Sequence, residues 1–168
     1  MATPTFTTMP TTLGAWFTVI TAGGIATADA ATITTVESTV TATTHNVIHA
    51  ENHEFEYVQL RLRYDPTLTA ITSPTVKLFG RCRHSSTVVD AWQVLKNRSG
   101  SLSATLSATP ATDAQDGGLS ETPVDSLETT FHYGGCNEFV VGIETALAGS
   151  TGVTTTALVE MKLVCDVE

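Results

Sequence analysis

Apolar and polar side chains alternate along the segment EFEYVQLRLRY, residues 54–64. A period of two is typical of a β-strand with one buried side and one side facing water. The apolar phase slips by one residue at Val58, because Phe55 and Tyr57 precede it in one phase and Leu60 follows in the other. Such a slip would turn the apolar set outward unless an extra residue absorbs it. We therefore predict a β-bulge near Tyr57 and Val58.

Similar patterns recur along the rest of the chain. Threonine and valine are β-branched residues that suit pleated strands, and they are dense over residues 31–44. Further strands are predicted over residues 75–83, 87–95, 101–108, 127–133, 138–145 and 157–165, with turn residues between them. No helical stripe and no internal repeat is visible. The pattern predicts an all-β fold, an antiparallel β-sandwich or jelly-roll-like domain, with Trp92 as a core residue.

The N-terminal segment has an unusual composition. No lysine or arginine precedes Arg61, and half of the chain's threonines lie ahead of it. A segment of small polar residues frays unless something holds it down. We therefore predict that residues 1–30 form an extended N-terminal arm clamped in an assembly, and that residues 31–168 form the β-sandwich domain. The apolar stretch 13–30 lacks the preceding positive charge of a signal peptide and is too interrupted to span a membrane, so we expect a structural segment.

Charge is distributed in blocks along the chain, whose net charge is −9. Residues 61–98 are basic, whereas the segments on either side of them are acidic. The acidic total argues against a nucleic-acid partner, because phosphate binding needs clustered lysine and arginine. Blocks of opposite sign suit docking between subunits or onto another protein. An ordinary solvated surface remains the equal alternative.

The three cysteines, Cys82, Cys136 and Cys165, are odd in number and form no CxxC pair. This pattern argues against a disulfide framework and favours synthesis in a reducing compartment. We expect the free thiols to be small core residues.

Two polar groups are candidates for metal binding. His45, His49 and His53 recur every four residues, and the acidic loop contains Asp113, Asp116, Glu121 and Asp125. On a strand the histidines would lie about 13 Å apart per step, too far to share one metal, and the acidic loop does not have the spacing of an EF-hand. We expect polar loop histidines and a solvated acidic loop, with a histidine site on a trimer axis as the open alternative.

Catalytic motifs are missing from the sequence. It has no G-x-S-x-G elbow, no phosphate-binding loop and no H-E-x-x-H pair. No acid, base and nucleophile set can be assembled, so we expect a protein that is not an enzyme and that uses no cofactor.

The segments VQLRLRYDPTLT (58–69) and SPTVKLFGR (73–81) resemble small structural proteins of tailed bacteriophages. That resemblance implies a β-sandwich, commonly trimeric, that sits on the capsid lattice and stabilises the shell. The expected function is that of a capsid decoration or cement protein, made in the host cytoplasm and located on the virion surface, with the major capsid protein as partner. The alternative is a receptor- or carbohydrate-binding β-sandwich, as in a fibre head or binding module.

Two sets of residues are the predicted assembly surface. The apolar part of the arm is expected to pack on a neighbouring subunit or on the shell, and an acidic arm is expected to lie against the basic middle segment of another subunit. These residues are Leu13, Trp16, Phe17, Val19 and Ile20 in the arm and Arg61, Arg63, Arg81 and Arg83 in the basic segment.

Overall fold

The computed structural model of the chain describes residues 6–8, 14–21, 24–26, 47–50, 55–64, 72–106, 120–121, 127–149 and 157–165. For residues 6–8, 26 and 120–121 it describes the backbone alone. The strands in these ranges are β1 Phe6–Thr8, β2 Phe17–Ile20, β3 Val47–His49, β4 Tyr57–Tyr64, β5 Thr75–Arg81, β6 Gln93–Val94, β7 Ala104–Thr105, β8 Ser120–Glu121, β9 Thr130–His132, β10 Glu138–Thr145 and β11 Leu158–Val164. A single 3-10 turn, Gly24–Ala26, lies between β2 and β3 within the same ranges, and no helix in them is long and apolar enough to cross a membrane.

The strands form two sheets. Sheet A has the order β1-β3-β10-β5-β6 with β7 also paired to β5, and sheet B has the order β2-β11-β4-β8 with β9 also paired to β4. All of these pairings are antiparallel except that between β1 and β3, which is parallel. Buried side chains from both sheets form one continuous hydrophobic cluster. The prediction of an all-β antiparallel β-sandwich is confirmed.

Strand β4 carries the alternation on which the fold was predicted. Val58, Leu60, Leu62 and Tyr64 are fully buried, and the β4/β11 register is continuous from Tyr57 to Arg63. The predicted bulge near Tyr57 and Val58 is therefore wrong.

The change of phase has a simpler cause, because the strand begins after Phe55. That residue precedes β4 and is buried, with its ring 5.1 Å from that of Tyr133. Register shifts lie elsewhere, between Val159 and Glu160 in the β2/β11 pairing and between Ile143 and Thr145 in the β5/β10 pairing.

The other predicted strands agree with the structure to different extents. The segments 138–145 and 157–165 match β10 and β11, and 75–83 matches β5, which ends at Arg81. The segments 87–95 and 101–108 keep only two strand residues each, β6 and β7. The predicted strand over 31–44 lies outside the described residues.

The N-terminal segment contributes strands to both sheets. Strand β1 runs parallel to β3 in sheet A, and β2 pairs with β11 at the edge of sheet B. Val19 and Ile20 are buried in the main core, and Phe17 packs against it. Because residues 27–46 lie outside the described part of the chain, the predicted boundary between residues 30 and 31 stays a prediction.

The cysteines occupy three different environments. Cys136 is buried, Cys82 is half-buried and Cys165 is exposed. The expectation of core cysteines is thus confirmed for Cys136 and wrong for Cys165, which follows the last residue of β11.

Candidate interaction surface

A charged group lies on the outer side of sheet A, and we call it the sheet A cluster. It consists of Arg81, Arg83, Glu138, Trp92 and His49. Glu138 lies directly opposite Arg81 in the β5/β10 register, and Arg81 Nε donates to Glu138 Oε2 at 2.7 Å. Arg83 Nε donates to the other carboxylate oxygen, which is 3.6 Å from His49 Nδ1. The carboxylate is therefore shared by two guanidinium groups.

The centre of the sheet A cluster is closed to water, whereas Arg83 and His49 at its rim are partly exposed. The exposed fraction of the side chain is 0% for Glu138 and 5% for Arg81. A carboxylate removed from water needs both a countercharge and hydrogen bonds to offset its desolvation, and the two arginines supply them. Arg83 is held in place by Asn137, whose Oδ1 accepts from the Arg83 backbone N–H at 2.7 Å and whose Nδ2 donates to the Arg83 carbonyl at 2.9 Å.

Trp92 covers one side of this ion group. The guanidinium carbon of Arg81 lies 4.3 Å from the centre of the indole ring, within cation–π range. The indole also packs against a small outer hydrophobic cluster of Val47, Phe79 and Val140. Trp92 was predicted as a core residue; it is instead half-buried on the outer side of sheet A, because β6 aligns it with Arg81 rather than with the inner side.

A second charged group lies on the outer side of sheet B, and we call it the sheet B cluster. It consists of Arg61, Arg63, Glu160, Trp16 and Lys162. Glu160 lies directly opposite Arg61 in the β4/β11 register, with Arg61 Nε donating to Oε2 at 2.6 Å and Arg63 Nη1 3.8 Å from Oε1. Trp16 lies under two cations, 4.3 Å from the Arg61 guanidinium carbon and 5.2 Å from Lys162 Nζ.

Aromatic and cationic side chains continue along the same side of β4. Tyr57 shares this side with Arg61, because residues four apart on a strand point the same way. Its ring centre is 5.1 Å from that of His132 and 5.3 Å from the guanidinium carbon of Arg98. The outer side of sheet B therefore presents tryptophan, tyrosine, arginine and lysine together.

The two clusters differ in net charge. Arg61, Arg63 and Lys162 outnumber Glu160, whereas Arg81 and Arg83 in the sheet A cluster face Glu138 with His49 beside it. Both excesses are positive, opposite in sign to the net charge of −9 for the whole chain. The β4/β8 register also places Glu121 opposite Arg63, so the outer side of sheet B holds a second acid.

The predicted assembly residues fall into three places. Arg61, Arg63 and Trp16 meet in the sheet B cluster, and Arg81 and Arg83 meet in the sheet A cluster. Phe17, Val19 and Ile20 lie in β2, where the last two have a burial partner within their own chain. Leu13 lies outside the described residues. Contact of these residues with a neighbouring subunit stays a prediction.

Sequence reasoning missed Glu138 and Glu160, the two acids that organise the arginines. A signal was present, because each glutamate adjoins apolar residues of a strand: Glu138 directly precedes Phe-Val-Val, and Glu160 lies between Val159 and Met161. Their pairing with Arg61 and Arg81 depends on strand order and register, which no local pattern contains.

The candidate metal groups are only partly described. Within the described ranges, no three His, Cys, Asp or Glu side chains converge on a possible metal position. His49 lies beside Glu138, whereas His45, His53, Asp113, Asp116 and Asp125 lie outside those ranges, and Glu121 is described by its backbone alone, in β8. Both metal hypotheses stay untested predictions.

Comparison of the chain with protein-family models, with curated proteins and with solved structures gives no match. The two-sheet fold and the clusters on its outer sides are therefore the basis for a functional proposal.

Proposed function

We propose that this chain is a virion structural protein, a capsid decoration or cement protein that binds the outer surface of a phage capsid and bridges capsomers. The observation that carries the proposal is the sheet B cluster, in which Trp16, Arg61 and Lys162 form a basic aromatic face on an acidic chain. Tryptophan and arginine are the residue types enriched at energetically important positions of protein interfaces. Residues 58–69 and 73–81 resemble phage structural proteins, and this resemblance is the reason for proposing the capsid as the partner.

The cluster is ordered before any partner arrives. Arg61 is fixed by its bond to Glu160 and by stacking on Trp16, so little side-chain entropy would be lost on docking. The excess positive charge favours an acidic patch on the shell and speeds encounter with it. A homo-oligomer, with a trimer as the favoured state, would engage several capsomers at once and gain avidity without additional contacts.

The test compares two lysine substitutions on opposite outer sides. Lys162→Gln removes a cation of the sheet B cluster, and the matched control Lys77→Gln removes one from sheet A, where Lys77 pairs with Glu144 at 2.7 Å. Binding to purified empty shells is measured at low and at high salt. We expect Lys162→Gln to weaken binding by roughly 3–10-fold and to reduce its salt dependence, with Lys77→Gln unchanged. Equal effects of the two substitutions, or no shell binding by the wild type, would refute the proposal.

Removal of the N-terminal segment is an unsuitable test of the arm. Deleting residues 1–30 would remove β2 and the buried side chains of Val19, Ile20 and Ile25, so loss of binding would not be separable from loss of the fold. The substitution Trp16→Ala removes the exposed contribution of the arm and leaves β2 in place. We expect it to weaken shell binding by roughly 30-fold or more if Trp16 is a hot spot.

The alternative, a receptor- or carbohydrate-binding module, requires an indole face open to a sugar ring. An arginine lies over the ring of each tryptophan at 4.3 Å, which occupies one face of each and favours a protein partner. Binding to a glycan array that is lost in Trp16→Ala would favour the alternative instead.

A further inference from the structure

Two cysteines lie side by side where β5 ends and β10 begins. Cys82 follows the last residue of β5, and Cys136 lies two residues before the first residue of β10. The register that pairs Arg81 with Glu138 brings these strand ends together. The Asn137 backbone N–H donates to the Arg81 carbonyl at 3.1 Å, and this bond fixes the chain between the two thiols.

Both sulfur atoms contact the turn that precedes β10, because Cys82 Sγ donates to the Gly135 carbonyl and Cys136 Sγ approaches the Gly134 carbonyl. Cys136 Sγ sits over Gly80, so closely that a Cβ on that glycine would lie 2.8 Å from it. Cys82 is two residues beyond Gly80 and directly follows the end of β5. Cys82 Sγ in turn donates to the carbonyl of Gly135, the neighbour of Cys136, at 3.0 Å. The side chain of Cys82 also lies near enough to the Cys136 thiol to contribute, after burial, to raising its pKa.

The two thiols differ in access. Cys82 is half-buried and within reach of a small oxidant, whereas Cys136 is fully buried and accepts from Gln93 Nε2 at 3.1 Å. In a pair with one accessible and one buried thiol, the accessible thiol reacts with the oxidant first. The buried thiol then attacks the product to form the disulfide.

We propose that Cys82 and Cys136 form a redox-sensitive pair that closes to an intramolecular disulfide. With a small disulfide such as oxidised glutathione as oxidant, the Cys82 thiolate attacks one sulfur, the S–S bond of the oxidant breaks, and one glutathione leaves as a thiol. Cys136 then loses its proton and attacks Cys82 Sγ, which releases the second glutathione. Two protein thiols are oxidised and one small disulfide is reduced to two thiols.

This modification goes beyond the proposed function and does not depend on it. A reducing cytoplasm would keep the pair open, and an oxidising medium would close it. The bond would link the strand ends directly beside the Arg81–Glu138–Arg83 ion group and close a loop over residues 83–135, which limits the freedom of the unfolded chain.

The experiment uses the full chain with Cys165→Ser, because Cys165 is exposed and would otherwise form bonds between molecules. The protein is incubated with oxidised glutathione, and its intact mass and its tryptic peptides are measured without reduction. We expect a loss of two hydrogen masses and a linked product that joins the peptide Cys82–Arg83 to the peptide 99–162. We also expect a rise in Tm of roughly 5–15 °C that dithiothreitol reverses.

The Cys165→Ser protein before oxidation is the first control. The comparison therefore does not require any further variant to fold. The double variant Cys82→Ser with Cys165→Ser is the second control, and it should show neither the mass loss nor the rise in Tm. A product that carries one glutathione on Cys82 with no linked peptide, or a protein that stays fully reduced, would overturn the proposal.

Discussion

The sheet A and sheet B clusters are built alike, yet the central carboxylate is fully enclosed in sheet A and slightly exposed in sheet B. In each, the first arginine of an Arg-x-Arg pair lies opposite a glutamate on the neighbouring strand, and a tryptophan stacks on that arginine at 4.3 Å. The glutamate side chain is 0% exposed in sheet A and 11% exposed in sheet B. The comparison shows that the same side-chain arrangement occurs both with a fully enclosed carboxylate and with one that water reaches.

The cause of the difference is what surrounds each ion group. In sheet A, Trp92 continues into a hydrophobic patch of Phe79, Val140 and Val47, so the carboxylate depends entirely on its arginines. In sheet B, both Arg61 and Lys162 lie within cation–π distance of the tryptophan, and three cations surround the carboxylate of Glu160. We infer that the first cluster chiefly stabilises the fold and that the second is better suited to docking.

The largest expected effect comes from removing each central carboxylate. Glu138→Gln removes the buried carboxylate that Arg81 and Arg83 share, and breaking a buried pair in this way costs about 3–5 kcal/mol of the free energy of unfolding. Glu160→Gln acts on a partly exposed group and should cost about 1–2 kcal/mol. Urea denaturation midpoints of the two variants, with unchanged m-values, measure the difference.

Equal losses in the two variants would contradict this ranking, because they would mean that water reaches both carboxylates to the same extent. Glu128→Gln is the matched control, since Glu128 is an exposed glutamate and an exposed substitution changes stability by less than about 0.5 kcal/mol.

An intermediate effect is expected for the two tryptophans. Trp92→Ala removes both the stacking on Arg81 and packing against the outer hydrophobic cluster, so we expect a loss of about 2–3 kcal/mol. Trp16→Ala removes mainly a cation–π contact and should cost about 1 kcal/mol. Thermal unfolding and shell binding of the two variants show which tryptophan stabilises the fold and which one contributes to binding. A larger loss of stability in Trp16→Ala would reverse the roles assigned to the two clusters.

The sequence predicts a strand well where the residues of that strand alone show a regular pattern. The inner residues of β4, with Val58, Leu60 and Leu62, follow directly from alternation, and so do the limits of β10. The bulge prediction failed because Phe55 is buried from outside the strand, and alternation cannot tell a strand residue from a residue just before it. The prediction of a strand over residues 87–95 failed for a related reason. Only Gln93 and Val94 form β6, and apolar residues such as Val88 lie exposed on the loop before it.

The clusters could be foreseen only in part. The repeated Arg-x-Arg spacing at Arg61 and Arg81 identifies two polar strand faces, but it does not say which acid will face them. Glu138 and Glu160 lie 57 and 99 residues away along the chain. Their pairing is fixed by the order of strands in each sheet, which is a property of the whole fold rather than of any segment.

The smallest expected effect concerns an exposed ion pair that shares sheet A with the enclosed cluster. Glu144 Oε1 lies 2.7 Å from Lys77 Nζ, Ser103 Oγ donates to Oε2 at 2.7 Å, and these two bonds lower the pKa of Glu144. A carboxyl whose pKa is lower in the folded state stabilises the fold at pH values above its unfolded pKa, and that contribution is lost as the pH falls through its folded pKa. Glu144 is 38% exposed, so solvent screening keeps the effect below about 1 kcal/mol.

Glu144→Gln should therefore be slightly less stable than the wild type at neutral pH, and the difference should vanish in acid, where the wild-type carboxyl is protonated. Urea midpoints measured across the acid range test this. A stability difference that stays constant down to the lowest pH would show that Glu144 acts through its shape rather than its charge.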